Sequence, residues 1–154
     1  MPNPWVLIDS WTFSVNITER DFLNLGAYSE LNALLRNITT ANSGLLQAQV
    51  SINNGSSWLT ASGDYKEVSG NDGSQANLAA ASLHITAATT ARGGHVWFPN
   101  WNMPTVPKVA SRRNLNTTLG ALLIPQANGL NALRINNSAG GNLTAGQIFV
   151  WGRL

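Results

Sequence analysis

The chain has 154 residues, a hydrophobic fraction of 44%, a charged fraction of only 10% and a formal net charge of +2. These values suit one domain spanning residues 1–154, and the absence of cysteine excludes disulfides, thiol catalysis and thiolate metal sites. We expect neither a membrane nor a nucleic acid as partner, since no apolar run approaches roughly 20 residues and the positive charges are not clustered.

Alternation of apolar and polar residues predicts strands along the first part of the chain. Residues 1–5 lack a basic segment and an apolar run, so no signal peptide is expected. Alternation over 5–17 and, most clearly, over 46–52 predicts strands with one apolar face each. The leucine spacing in 29–36 fits a helix or a strand, and we favour a strand. The sequence NNG at 53–55 is typical of a type I′ hairpin turn, because both central residues tolerate positive φ.

The remaining predicted strands are short, and turns rich in Gly and Asn separate them. Residues 99–107 contain prolines and predict a long connection, because proline cannot donate to a strand ladder. About eight to ten such strands predict an all-β fold, an antiparallel β-sandwich of the jelly-roll kind. The strands after the NNG turn are expected at 57–60, 65–68, 78–86, 94–98, 106–110, 119–124, 132–136 and 147–151.

The sequence contains no motif for catalysis or for binding a cofactor. The two histidines, His84 and His95, have no further ligand at the spacing that a zinc site needs. A glycosidase uses two carboxyl groups that lie close together in space. Glu19 and Asp21 are close in sequence, but we interpret them as solvated turn residues. A nucleophile elbow, a Walker loop and a dinucleotide fingerprint are all absent. We therefore expect no catalytic residue, no metal and no cofactor.

An aromatic cluster lies at the end of the strand predicted at 94–98 and in the loop after it. Two of the six tryptophans are here, beside two asparagines. Exposed indole faces stack on sugars while amides bond hydroxyls, and tryptophan also anchors protein interfaces. Packing in the core is the third interpretation. The candidate residues for an interface or a glycan contact are Trp97, Phe98, Asn100, Trp101, Asn102 and Met103.

The C-terminal part of the chain is its most distinctive stretch. NALRI at 131–135 and GGNLTAGQI at 140–148 resemble the ending of small β-sandwich virion proteins of tailed bacteriophages. FLNLGAY at 22–28, VSINNGSSW at 50–58 and SGDY at 62–65 are similar to the same group, so the resemblance covers most of the chain. The shared pattern consists of turn and core positions, and it therefore brings no catalytic residue with it.

This resemblance implies a non-enzymatic virion structural protein that is made in the host cytoplasm. The expected role is capsid decoration or cement, or another position on the head surface. The expected partners are copies of the chain itself, in a homotrimer, and the major capsid protein or another virion protein. The alternative is a receptor- or glycan-binding tip of a tail or head fibre, which would contact a host surface glycan through the loop Trp97–Asn102. The lack of a coiled-coil or β-helical shaft favours the decoration role.

Overall fold

The computed structural model describes residues 3–42, 44–68, 75–77, 83–87, 92–114, 119–125 and 128–154. The described residues form twelve β-strands and no helix, which confirms the all-β prediction. In chain order the strands are β1 (Val6–Thr12), β2 (Glu19–Phe22), β3 (Glu30–Thr40), β4 (Leu45–Ser51), β5 (Lys66–Val68), β6 (Gln75–Asn77), β7 (Leu83–Ala87), β8 (Arg92–Phe98), β9 (Lys108–Asn114), β10 (Leu119–Ile124), β11 (Ala132–Asn137) and β12 (Leu143–Arg153).

The strands form two sheets of unequal size. The large sheet has eight strands in the order β1-β12-β3-β8-β9-β10-β5-β6, and the small sheet has four in the order β2-β11-β4-β7. Every pairing in both sheets is antiparallel, as expected from the sequence. The chain alternates between the sheets from β1 to β4. Buried residues of both sheets form one hydrophobic cluster, so the two sheets are layers around one core. The jelly-roll connectivity stays a prediction.

Alternate residues of the facing strands fill the space between the two sheets. Side chains along a strand point to opposite faces in turn, so each strand buries every second residue. Each large apolar side chain buried in this way contributes roughly 1.5–3 kcal/mol. The strand residues of this core include Leu31, Ala33 and Leu35 of β3, Leu46, Ala48 and Val50 of β4, Val96 and Phe98 of β8, Leu133 and Ile135 of β11, and Ile148 and Val150 of β12.

The ambiguous segment 29–36 is a strand, since β3 runs from Glu30 to Thr40. The predicted strand at 5–17 is too long. β1 ends at Thr12, and Ile17 makes only an isolated bridge to Leu143. The physical reason is that the chain leaves the large sheet here and enters β2 of the small sheet.

The NNG turn forms as predicted, but the hairpin does not. Its central residues, Asn54 and Gly55, have φ values of 55° and 85°. Residues 57–60 form no strand, and this prediction is wrong. β7 pairs with this edge of β4 over Leu45–Ala48, and the returning chain contacts the edge beyond that pairing through a backbone hydrogen bond from Leu59 N to Val50 O (3.0 Å).

The later strands match the sequence pattern more closely. β10 has the predicted bounds, and β8, β11 and β12 contain the segments predicted for them. β9 begins at Lys108, after the last proline of the loop, and not at 106. Of the strand predicted at 78–86, residues 78–82 lie outside the described residues, and β7 covers the rest.

Candidate functional site

Two of the six predicted contact residues lie in the core. Phe98 and Trp101 are both 0% exposed, and their rings meet edge to face with centroids 5.0 Å apart. Trp101 Nε1 donates a hydrogen bond to the carbonyl oxygen of Leu25 at 3.1 Å, so the indole has no free polar group. For these two side chains the structure therefore shows packing in the core, the third interpretation of the sequence.

The two asparagines of the loop use their amides to hold the loop in place. Asn100 Nδ2 donates to the carbonyl of Pro107 at 3.0 Å, and Asn102 Nδ2 donates to the carbonyl of Gly26 at 2.8 Å. Both side chains are half-buried. Only Trp97 and Met103 remain as exposed apolar members of the predicted set, at 39% and 48% exposure.

A buried lysine, which the sequence pattern did not single out, fixes the middle of the same loop. Lys108 is fully buried, and its Nζ donates to the carbonyls of Met103 and Val106. Burial lowers the pKa of this ammonium group below its usual range. The carbonyls lie on either side of Thr105, which has a φ of 74°, a conformation that is rare for a β-branched residue.

Trp97 belongs to an exposed apolar surface on the outer face of the large sheet. Its cross-strand neighbour is Asn32, and Asn32 in turn pairs with Trp151. In the next row, Leu34 pairs with Phe149 of β12. The residues between them along each strand are buried, so the residues of these two rows point outward. We call this surface the aromatic face, and it consists of Leu7, Trp151, Asn32 and Trp97 in the first row and Phe149 and Leu34 in the second.

The aromatic face is accessible in the single chain. Leu7, Leu34 and Trp97 are exposed, and Trp151 and Phe149 are half-buried. Asn32 is the polar residue in the middle of the first row, and its Oδ1 is buried and has no hydrogen-bond partner among the described residues. Monomeric soluble proteins rarely expose a contiguous apolar patch of several hundred Å², and such patches usually mark interaction sites.

The edge of the large sheet beside this face is protected against pairing with another strand. β1 has a bulge between Leu7 and Asp9, and Asp9 Oδ1 accepts a hydrogen bond from Ser10 N at 2.7 Å. Asp9 also points inward and pairs with Arg20 at 3.1 Å. Bulges and inward-pointing charges are the features that keep natural edge strands from pairing. A partner would therefore bind to the face of the sheet and not to this edge.

Glu19 and Asp21 are not solvated turn residues, and that interpretation is wrong. Both lie in β2 and bind one guanidinium, because β2 pairs with β11 and so places them beside Arg134. Asp21 accepts two hydrogen bonds from Arg134 at 2.7 and 2.8 Å, and Glu19 pairs with the same guanidinium at 2.9 Å. Trp58 covers the same guanidinium at 4.4 Å. The hydrogen bonds that Arg134 donates to Asp21 raise the pKa of Arg134, and the carboxylates are committed to this cluster.

Comparisons with known proteins give no family for this chain. No family model matches the sequence, and no curated protein matches it. Among solved structures, it is similar to scytalido-glutamic peptidase with a peptide-based transition state analogue, with 10% identity and a TM-score of 0.29 over 98% of this chain and 64% of that chain. It is similar to SCP-B, a member of the eqolisin family of peptidases in a complex with a tripeptide, with 11% identity and a TM-score of 0.30 over 98% and 63%.

The chain thus spans a little less than two thirds of the length of these structures. At such low TM-scores the likeness gives no information about the activity of this chain. Within the described residues, no group of three or more His, Cys, Asp and Glu side chains could hold a metal ion. In that part of the chain there is also no helix long and apolar enough to span a membrane.

Sequence reasoning missed most of the aromatic face, although a signal for it is present. Leu34 is followed by Leu35, and Phe149 is followed by Val150, so β3 and β12 carry apolar residues on both faces. A strand that covers a core on only one side normally alternates with polar residues. Apolar residues on the second face of β3 and β12 were therefore the available sign of an outer contact surface.

Proposed function

We propose that this chain is a non-enzymatic structural protein of a bacteriophage virion. It serves as a capsid decoration, cement or head-surface protein, and it is made in the host cytoplasm before it joins the particle. Its partners are further copies of itself and the major capsid protein or another virion protein. The phage setting rests on the sequence resemblance, and the role as an assembly module rests on the exposed aromatic face of the large sheet.

The aromatic face is the single observation that carries the assembly role. It combines two tryptophans, a phenylalanine and two leucines on one rigid sheet, and none of its six residues is charged. Aromatic enrichment and depletion of charge are the marks of the centre of a protein interface. The blocked edge at β1 favours contact through this face, in a defined orientation, over open-ended strand pairing.

The test is the location of the chain on purified virions. We expect density for the β-sandwich on the particle by cryo-electron microscopy, and the chain in purified particles by mass spectrometry. Leu34→Asp should lower incorporation into particles, whereas Val15→Asp, at an exposed site in the loop after β1, should leave it unchanged. Purified virions that lack the wild-type chain would contradict the proposal.

Glycan binding by a fibre tip is the second candidate, and the exposure of Trp97 is the observation that favours it. An indole with one free face beside the amide of Asn32 offers both stacking and hydrogen bonding to a sugar. Titration with host surface oligosaccharides should then change tryptophan fluorescence in the wild type and in Trp5→Ala, but not in Trp97→Ala. An unchanged signal in all three proteins would remove this candidate.

A further inference from the structure

The Asn-Gly step of the NNG turn is a site of chemical modification that the proposed function does not involve. We propose that Asn54 is a latent deamidation site, and that the side chain of Asn24 keeps it unreactive in the folded chain. Asparagine is among the thermolabile residues, and a glycine after it favours the reaction because it has no side chain to hinder ring closure. The inference is independent of the proposed function.

The reaction needs only water and groups of the chain itself. The backbone nitrogen of Gly55 gives up its proton and attacks Cγ of Asn54, so that a carbon–nitrogen bond forms. The bond between Cγ and Nδ2 breaks, and ammonia leaves with that proton. Water then opens the cyclic imide at one of its two carbonyl carbons. The products are aspartate and isoaspartate, and no atom is oxidised or reduced.

The side chain of Asn54 is open to water, but it is held by another loop. Asn54 is exposed. Its Oδ1 accepts a hydrogen bond from the backbone nitrogen of Asn24 at 2.6 Å, and its Nδ2 donates to Oδ1 of Asn24 at 2.8 Å. A residue 30 positions away in the chain therefore binds both ends of the amide that has to react.

The attacking nitrogen is also engaged in the folded turn. Gly55 N donates to Oγ of Ser51 at 3.0 Å, and the backbone nitrogen of Asn54 donates to Oδ1 of Asn131 at 2.7 Å. Ring closure moves Cγ of Asn54 onto Gly55 N, so it breaks the hydrogen bonds to Asn24 and Ser51. Deamidation therefore proceeds from an opened form of the turn, at a rate proportional to the population of that form.

The backbone of Asn24 has the conformation that this contact requires. Its φ is 59°, in the left-handed region, which Asn and Asp tolerate better than most residues and Gly adopts freely. The next residue is fixed as well, since Leu25 N donates to the carbonyl of Asn131 at 2.9 Å. Exchanging Asn24 for Gly or Asp therefore changes the contact with Asn54 without straining the loop.

Deamidation destroys the contact that prevents it. An aspartate at position 54 has no N–H to donate to Oδ1 of Asn24, and an isoaspartate adds one atom to the backbone of the turn. The loop between β2 and β3 then loses its hydrogen bond from the turn after β4. The modified chain cannot restore this contact, so the change is permanent.

The test is the rate of conversion at Asn54 in the full chain at mildly alkaline pH, measured by mass spectrometry of its peptides. We expect the folded wild type to react more slowly than the same chain in urea. Asn24→Gly should accelerate conversion roughly three- to tenfold, the range that the loss of one hydrogen bond allows. Asn24→Asp retains an acceptor oxygen and should react at the wild-type rate. Asn100→Ala, which removes an amide from another loop, is the control and should leave the rate unchanged.

The other Asn-Gly step of the chain, at Asn128, reports on global unfolding in the same samples. Acceleration at Asn54 alone in Asn24→Gly would support the proposal. Acceleration at both steps would assign the effect to a general loss of stability and overturn the role of Asn24. Equal rates at Asn54 in Asn24→Gly and the wild type would also overturn it, as would a folded wild type that reacts as fast as the chain in urea.

Discussion

Tyr65 joins the chain after the NNG turn to the small sheet. Its ring is fully buried, and its hydroxyl accepts from Val50 N at 2.9 Å and donates to the carbonyl of Leu59 at 3.2 Å. Burial is the main reason why the pKa of this phenol lies well above its ordinary value of 10.0. The folded chain thus keeps a proton that the unfolded chain loses above about pH 10. The contribution of Tyr65 is complete below that pH and falls as the pH rises further.

We expect Tyr65→Phe to lower the free energy of unfolding at pH 7 by about 1–2 kcal/mol, because it leaves two backbone groups without their partner. Above pH 10 the wild type should lose up to about 1.4 kcal/mol per pH unit more than the variant does. Urea unfolding at neutral and alkaline pH measures both effects. Tyr28→Phe is the matched control, since it retains Tyr65 and should keep the full alkaline loss. Equal alkaline losses in Tyr65→Phe and the wild type would contradict the role of this phenol.

Lys108 holds the loop 99–107 through the carbonyls of Met103 and Val106. We expect Lys108→Met to fill the same volume without donating, and to destabilise the fold by roughly 1.5–3 kcal/mol, the usual contribution of a charge-assisted hydrogen bond. Hydrogen exchange should become faster for backbone amides of this loop and stay unchanged in β11 and β12. Lys66→Met, at the other lysine, is the control variant. Unchanged exchange in the loop of Lys108→Met would show that the ammonium group does not hold it.

The different burial of Trp97 and Trp101 shows what a sequence pattern can and cannot reveal at single residues. Both tryptophans lie in one short aromatic segment, Trp97 between two apolar residues and Trp101 between two asparagines. Trp97 points outward because it alternates with the buried Val96 and Phe98 in β8. Trp101 is buried because its indole reaches the carbonyl of Leu25, which is 76 positions away in the chain. Period-2 alternation could have predicted the first orientation, whereas the second depends on tertiary contacts.

At the scale of single strands, β12 depends on a glycine at its irregular end. Gly146 has a φ of 113°, and a Cβ atom added there would lie 2.7 Å from the backbone of Arg36, Asn37 and Ile38. The register between β3 and β12 shifts twice in this region, between Leu143 and Ala145 and between Ala145 and Gln147. The backbones of the two longest strands therefore approach each other here so closely that only glycine fits.

We expect Gly146→Ala to destabilise the fold by about 3 kcal/mol or more, since both a positive φ and a backbone collision oppose the methyl group. Gly140→Ala is the matched control, because its φ is also positive, at 69°, but nothing lies within 4 Å of the added atom. That variant should lose only about 1–2 kcal/mol. Thermal unfolding of both variants gives the comparison. A Gly146→Ala variant no less stable than Gly140→Ala would show that the strands can move apart.

The sequence predicted best those strands whose two faces differ in polarity. β4 alternates cleanly, because Leu46, Ala48 and Val50 face the core while the residues between them face away. Only residues 147–151 of β12 were predicted. Thr144 and Gly146 obscure the alternation of apolar and polar residues in the irregular first part of this longer strand. β2 was not predicted, because its charged residues Glu19 and Asp21 find their partner Arg134 on β11, far along the chain. Such pairing follows from sheet order, which local pattern does not determine.

At the scale of the whole molecule, the low charged fraction of the sequence indicates that ion pairs contribute little to the stability of the fold. The described ion pairs join a few residues across strands, and all of them retain some exposure. Exposed pairs of this kind contribute about 0–1 kcal/mol each. The guanidinium of Arg20 in β2 lies over the ring of Trp11 in β1 and over that of Phe22, at 4.2 and 5.4 Å from the two centroids. Apolar and aromatic packing therefore accounts for most of the stability.

This balance predicts that stability and self-association depend little on sodium chloride. Between about 0.05 and 1 M salt, where the screening length falls to roughly 3 Å, we expect the free energy of unfolding to change by less than about 1 kcal/mol. Self-association through the aromatic face should persist at the upper concentration, because the centre of this face is aromatic. Sodium sulfate should instead strengthen both, since it is excluded from apolar surface. Urea unfolding and sedimentation in the two salts measure these effects. Self-association that is lost in sodium chloride would show that charge, and not the aromatic face, holds the copies together.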